Sequence, residues 1–403
     1  MDGQGLPIHV PKPMLLHAPS TSHDWLSLEI EVSAGASEDV SKEAQGASDA
    51  VRQKMAGYLQ SVLTTPNLVV LAGSGTSLGS VGGPSMADLW TKAKSLPNFE
   101  DVVHAVKHAE NDSWIENLLS RCKVASDFID DKEVAKKVFD FLKASEKMIW
   151  AECSGFLDNA DLDAHQTFLR RMARRRLRTP RLKLFTTNYD LCFERAASDL
   201  GIVAIDGFSF AQPRRFNPRF FHYDLIRRGR GGDEAHDFVE GVVLLYKLHG
   251  SVNWDRTERG VVQCEEPEDP CMMFPTNTKF EQSYSQPHLE LMAQFQPVLR
   301  EPNTALVVIG FGFNDKHLTE NIMAAVDSNP SLKLLVVDPA VKAKSEAGNG
   351  VHSLLRNKIA GGEADIALLN ADFAQFAEII PQLRALSPAE QIERSVRQIA
   401  QDT

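Results

Sequence analysis

Six short apolar runs, each ending at glycine or at a cluster of polar residues, constrain this chain more than any other feature. They lie at 68–71, 182–185, 242–248, 306–309, 334–337 and 366–369. Runs this short and this continuously apolar read as strands buried on both faces, as in a parallel sheet. A sheet with one wet face would alternate apolar and polar residues instead. Helical spacing separates several of the runs: Trp114, Ile115, Leu118, Leu119 and Cys122 make one apolar face, and Val134, Val138, Phe139 and Leu142 another. The alternation predicts an α/β fold, a doubly wound Rossmann-like parallel sheet over 46–385, with 97–178 as an inserted helical subdomain.

The flanks read differently. Residues 1–45 are rich in Ser, Pro, Gly and acidic groups, with apolar islands such as Trp25-Leu26, and predict a flexible acidic arm. A helix is expected over 47–63, ending before Pro66. At the other end, Ser387-Pro388-Ala389-Glu390 is a capping box with proline at the first helical position. Ile392, Val396 and Ile399 then form a narrow apolar stripe, so 386–403 is expected to be a helix that packs on the core or on another subunit.

Charge and cysteine usage narrow the function classes. The formal net charge is −11, and residues 1–50 carry eight acidic side chains against two lysines. That balance disfavours broad non-specific nucleic-acid binding, which needs a basic face. No apolar run approaches the roughly 18–20 residues of a membrane span, and no charged segment followed by an apolar one marks a secretion signal. The five cysteines, at 122, 153, 192, 264 and 271, include no Cys-x-x-Cys. Neither a disulfide framework nor a zinc site is expected, and a reducing, cytoplasmic setting fits.

The ends of the runs carry the chemistry. The first leads into Gly73-Ser74-Gly75-Thr76-Ser77-Leu78-Gly79, then Gly82-Gly83-Pro84. Glycines let a main chain approach a pyrophosphate, although the same loop could be a structural strand-to-helix turn. The third glycine stands one residue later than in a dinucleotide fingerprint, and no Gly-Lys-Ser/Thr follows, which argues against a nucleoside-triphosphate loop. The 182–185 run continues into Thr186-Thr187-Asn188-Tyr189-Asp190, and 242–248 into His249-Gly250-Ser251. The 306–309 run continues into Gly310-Phe311-Gly312-Phe313-Asn314-Asp315, and 334–337 into Asp338-Pro339. Open parallel sheets bind ligands at the carboxyl ends of their strands, so these segments share one rim. Asn188 and His249, at two strand ends facing a glycine loop, are the catalytic candidates.

In their order and wording these segments resemble sirtuins: a Gly-Ser/Ala-Gly loop, a Thr-x-Asn-x-Asp element, a His-Gly element and a late Gly-x-Gly turn. The wording at 184–190, 247–251 and 308–312 is most similar to the divergent sirtuin-like proteins of bacterial antiphage systems. The resemblance covers roughly 60–380 and implies cleavage of the nicotinamide–ribose bond of NAD. It further implies a homo-oligomer paired with a HerA-like hexameric ATPase. By the same resemblance, Asn188 holds a ribose hydroxyl or the attacking water and His249 acts as base. Tyr189 and Asp190 border the nicotinamide, while Gly73, Ser74, Gly75, Thr76 and Ser77 cradle the phosphates. Gly310 and Gly312 let the backbone meet the cofactor, and Asp338 accepts from the adenosine ribose. Two departures favour NAD hydrolysis over deacetylation: the four-cysteine zinc module is missing, and Gly82-Gly83-Pro84-Ser85-Met86 replaces the Gly-Ile-Pro-x-Phe-Arg element. An NAD-dependent deacylase and a non-catalytic NAD- or ADP-ribose-sensing subunit remain the alternatives.

Other features have plainer readings. His317 sits at a helix start, where capping or packing accounts for it, and Phe373 is a core aromatic or a neighbour of adenine. Arg170, Arg171, Arg174, Arg175, Arg176 and Arg178 close a helix, where cations suit the dipole. They are also the one place where DNA or an acidic partner could be met. The Arg- and Phe-rich stretch 208–232 is expected to cover the site or to contact a subunit.

Overall fold

The computed structural model describes residues 13–17, 25–27, 38–125, 128–175, 179–227, 237–274 and 286–383. The strands begin with β1 (Met14–His17), β2 (Leu26–Ser27), β3 (Asn67–Ala72), β4 (Leu182–Thr186) and β5 (Val203–Ile205). They continue with β6 (Ile226–Arg227), β7 (Asp237–Phe238), β8 (Val242–Lys247), β9 (Gly250–Thr257), β10 (Gly260–Gln263) and β11 (Pro270–Met272). The last are β12 (Thr304–Ile309), β13 (Lys333–Val337) and β14 (Asp365–Asn370). Among the described residues, nine strands form one sheet in the order β2-β1-β14-β13-β12-β3-β4-β8-β5. The seven from β14 to β5 run parallel, and β1 joins antiparallel to β14.

Both faces of this sheet are dry. Along β3, Val69 and Leu71 enter one core while Leu68, Val70 and Ala72 enter the other. β12 does the same, with Leu306 and Val308 on one side and Ala305, Val307 and Ile309 on the other. Such burial stabilises by about 1.5–3 kcal/mol per large side chain, which is why the runs show no polar alternation. The first core is closed by the helices His288–Arg300, Lys316–Ser328 and Gly350–Gly361, through Phe295, Ile322 and Leu355 among others. The second is closed by α1 (Glu38–Leu63), by α6 (Asp163–Met172) and α7 (Cys192–Asp199) later in the chain, and by the helix Phe373–Ile379. Helices on both faces make this the doubly wound α/β fold expected from the runs.

Between β3 and α6 stand α2 (Met86–Ala93), α3 (Phe99–Ala105), α4 (Ile115–Ala125) and α5 (Lys132–Gly155). Their apolar faces meet in a third core, which Val252 of β9 and Met272 of β11 complete. This bundle begins before residue 97 and ends at Gly155. The helix after it, α6, belongs to the main sheet, because its apolar residues Phe168, Leu169 and Met172 face the second core. The buried face of α5 is Val138, Phe141, Ser145, Ile149 and Cys153, so Phe139 does not share it and is exposed. Trp114 is exposed as well, just ahead of the buried Ile115.

The N-terminal segment departs from the expected arm. β1 pairs along its length with β14, Leu15 against Leu369 and Leu16 against Leu368, and both leucines are buried. Two adjacent apolar side chains that point to opposite faces suit a strand added to a sheet dry on both sides. The expected C-terminal helix over 386–403 lies outside the described residues. Leu15→Ala, which empties a fully buried site, should lower unfolding free energy by about 2–5 kcal/mol in urea denaturation. A flexible arm would give no change.

Candidate active site

The strand registers set Leu369, Val337, Ile309, Ala72, Thr186 and Lys247 in one row across β14, β13, β12, β3, β4 and β8. One residue further on come Asp338, Gly310, Gly73, Thr187 and Leu248, and one beyond those, Asn188 and His249. These last two therefore stand at one level on strands about 4.8 Å apart. The chain turns from β3 toward β4 on one side, while β12 to β14 lie on the other. The β3–β12 boundary is thus the switch point where a doubly wound sheet opens to a ligand.

At that boundary two loops touch. Gly75 N–H donates to the Gly310 carbonyl at 2.9 Å, and a Cβ on Gly73 or Gly75 would stand 2.6 Å from Gly310 atoms. Gly310 has φ +59, and its own Cβ would lie 2.8 Å from the Gly75 and Thr76 main chain. Glycine is required here for loop-to-loop contact. Moreover, the N–H groups of Gly73, Gly75, Thr76 and Ser77 each donate to a main-chain carbonyl. In this structure those four donors shape the turn. Gly312 is exposed, with Asn314 as its near neighbour.

Side chains of this loop hold Asn188. Its Nδ2 donates to Thr76 Oγ1 at 3.0 Å and to Ser77 Oγ at 2.9 Å. Both hydroxyls accept because each donates elsewhere: Thr76 to the Gly73 carbonyl, Ser77 to Asp190 Oδ2 at 2.7 Å. The amide orientation follows, and Oδ1 is left as the acceptor not engaged by this network. Asp190 accepts a second bond, from Cys192 N–H, so its carboxylate secures the loop to α7. Tyr189 turns away: its ring packs against the bundle and its hydroxyl donates to the Met273 carbonyl. Burial holds that phenol well above its ordinary range.

Beneath the loop lies Lys247, whose side chain is 2% exposed. Its Nζ donates to the carbonyls of Tyr189 and Asp190 and to Glu194 Oε1 at 2.9 Å, which accounts for all three of its protons. One ammonium thus ties the loop bearing Asn188 to the strand bearing His249. Burial raises the Glu194 carboxyl above its ordinary value, against the opposing pull of Lys247. His249 Nε2 lies 3.1 Å from Asp315 Oδ2, both side chains being 8% exposed. Behind it, His288 Nδ1 bonds the Leu248 carbonyl at 3.1 Å, and burial pushes this imidazole down to about 3.

The remaining candidates are spread along the rim or lie off it. Asp338 Oδ1 accepts from Ala340 N–H and Oδ2 from Lys344 Nζ, each at 2.7 Å. Phe373 is buried against His165, Phe168 and Phe193, in the core. Two of the clustered arginines cap helices: Arg171 donates to the Glu378 and Ile380 carbonyls, and Arg175 to those of Leu63, Thr65 and Pro66. Arg176 and Arg178 lie outside the described residues. The 208–232 stretch packs Phe208 and Phe221 into the first core beside Trp254, and Arg215 bridges to Val262. Its residues 228–232 are outside the described set. Among the described residues, no group of three His, Cys, Asp or Glu side chains is placed to hold a metal, and no helix is long and apolar enough to cross a membrane.

Sequence reading missed Asp315, Lys247, Glu194 and His288. Lys247 could have been found, because a lysine inside an apolar strand must have buried partners. Asp315 reads as a helix cap, and nothing in its neighbourhood names His249. Gly310→Ala should cost about 2 kcal/mol or more, since neither its φ nor the facing backbone can accept a Cβ; thermal unfolding would report it. Lys247→Met should cost about 3 kcal/mol at neutral pH, the low end for a broken buried pair because Glu194 is partly exposed. The raised Glu194 carboxyl of this variant binds a proton more tightly folded than unfolded. The deficit is therefore full above the folded value and shrinks as pH falls through it, which urea titrations at several pH values would show.

Residues 183–352 match the family model described as the SIR2-like domain. The match starts within β4 and takes in Asn188, His249, Gly310, Asp315 and Asp338, but not the glycine loop or the helical bundle. No curated protein matches the sequence. Among solved structures, a Sir2 homologue variant in complex with ADP-ribose is similar over 81% of this chain and 96% of its own, at 13% identity and a TM-score of 0.41. The domain match takes in β4, β8, β12 and β13 of the strands that form the rim, and the architecture, a largely parallel sheet covered on both faces, is a Rossmann-like α/β fold.

Proposed function

We propose that this chain is an NAD glycohydrolase, cleaving the nicotinamide–ribose bond of NAD. The observation that carries the reading is Asn188 and His249 at one level on adjacent strand ends, inside a stretch that matches a SIR2-like domain. The reaction takes NAD and water to nicotinamide, ADP-ribose and a proton. Nicotinamide leaves as a neutral molecule, so no general acid is needed, unlike in ordinary glycosidases.

What the chain must provide is an acceptor for a ribose hydroxyl or for water, a base, and a floor for the phosphates. Asn188 Oδ1 fits the acceptor, since Thr76 and Ser77 hold the amide from behind. His249 fits the base, toward a ribose hydroxyl or the attacking water. The interlocked Gly73–Ser77 and Gly310 loops fit the floor, and Asp338 has room on its carboxylate oxygens to accept from the adenosine ribose. Tyr189 and Asp190 contribute by holding the loop that carries Asn188. The resemblance of the motifs extends the proposal to a homo-oligomer that depletes NAD during phage infection together with a HerA-like ATPase.

Purified protein should release nicotinamide from NAD with no acyl-lysine peptide present. Asn188→Ala and His249→Ala should each slow release by about 100-fold or more with unchanged circular dichroism. Release that required an acyl-lysine peptide would make the chain a deacylase instead. Mass measurement in solution, with and without the ATPase, tests the assembly: a monomer whose activity ignores the partner would refute it.

A further inference from the structure

We infer that Asp315 is the positioning residue of His249, fixing which imidazole nitrogen carries the proton and leaving Nδ1 as the atom that accepts one in the reaction. This rests on the proposed hydrolysis for its chemistry but on geometry for the pairing. Asp315 divides its two oxygens. Oδ1 accepts from the N–H groups of His317 at 3.0 Å and Leu318 at 3.3 Å, capping the helix Lys316–Ser328. Oδ2 is turned to His249 Nε2 at 3.1 Å. Capping alone uses one oxygen, and asparagine, serine or threonine would do it nearly as well. The second oxygen serves the imidazole.

A carboxylate can only accept, so Nε2 must carry the hydrogen between them, and in the neutral imidazole Nδ1 then holds the lone pair. The helix N-terminus favours the anion, and the near-complete burial of both side chains strengthens their attraction. The backbone of His249 is held independently. Its carbonyl accepts from Met273 N–H at 2.8 Å, and the preceding carbonyl, of Leu248, is bonded by His288. Gly250 then turns away with φ +84, at a point where a Cβ would lie 2.0 Å from the Cys271 carbonyl. With main chain and Nε2 both fixed, the ring cannot swing without breaking the bond to Asp315. Two titratable groups that face the pair are His288, pushed down to about 3, and Tyr189, held well above its ordinary value. Neither changes charge near neutral pH.

The test is Asp315→Asn, which keeps the cap. Nicotinamide release should fall about 100-fold or more in kcat with KM within about threefold. The acid limb of the pH–rate profile should move to lower pH, because an imidazole without its anion protonates less readily. A cap-only role would leave that limb in place. Should the asparagine variant fail to fold, Asp315→Ser offers the same cap. Nitrogen-15 histidine NMR, with His249 assigned by His249→Gln, reads the pairing without turnover. The parent should show His249 protonated at Nε2, and Asp315→Asn should lower its titration midpoint. A parent protonated at Nδ1, or an unmoved midpoint, overturns the inference. A parent that shows the expected tautomer yet releases no nicotinamide supports the pairing and refutes the hydrolysis alone.

Discussion

A sheet buried on both faces can meet water only at the ends of its strands. That constraint organises this molecule. Every residue of β3 from Leu68 to Ala72 is buried, and so is every residue of β8 and β12. The first polar groups the main chain can expose follow the last paired residues. Because the strands are parallel and in register, those groups collect along one rim.

A rim alone does not make a site, since strand-end loops are free to diverge. Two contacts prevent it. At the switch point, Gly73 and Gly75 press against Gly310, backbone to backbone, with no space for a side chain between them. On the other side of β3, the Lys247 ammonium replaces water for two carbonyls of the Asn188 loop while paired with Glu194. A buried charge is an expensive way to hold a loop, and a hydrophobic residue of like size would often be more stable. Here it serves geometry: the three bonds tie the strand that leads to His249 to the loop after Asn188 and to α7.

The helical bundle reaches the same place from above. Its core is completed by Val252 and Met272, and Trp150 donates to the Val252 carbonyl at 2.8 Å, so the small β10-β9-β11 sheet is both the continuation of His249 and a wall of the bundle. Tyr189, next to Asn188, packs on that wall and bonds Met273. The two domains of packing are thus joined through the neighbours of the candidate catalytic residues. Removing either would be felt at the rim.

The six apolar runs determined six adjacent strands of the sheet, from β14 across to β8, since strands dry on both faces read that way, while β1, β2 and β5 lay outside them. The polar residues directly after them marked the rim, and Asn188 and His249 stood out by position. Other features were beyond the sequence because each depends on what folds against what. Leu15 and Leu16 lay within a stretch read as a flexible acidic arm until β14 offered them a strand partner. Nothing in the glycines of 73–75 named Gly310 as the backbone they press against. Arg171 and Arg175 looked like a basic patch and became caps for helix ends far away in the chain. Asp315 and His249 are brought together only by the ordering of β8 and β12 around β3. Local pattern records which residues avoid water, and it is the strand order that decides which polar groups then meet.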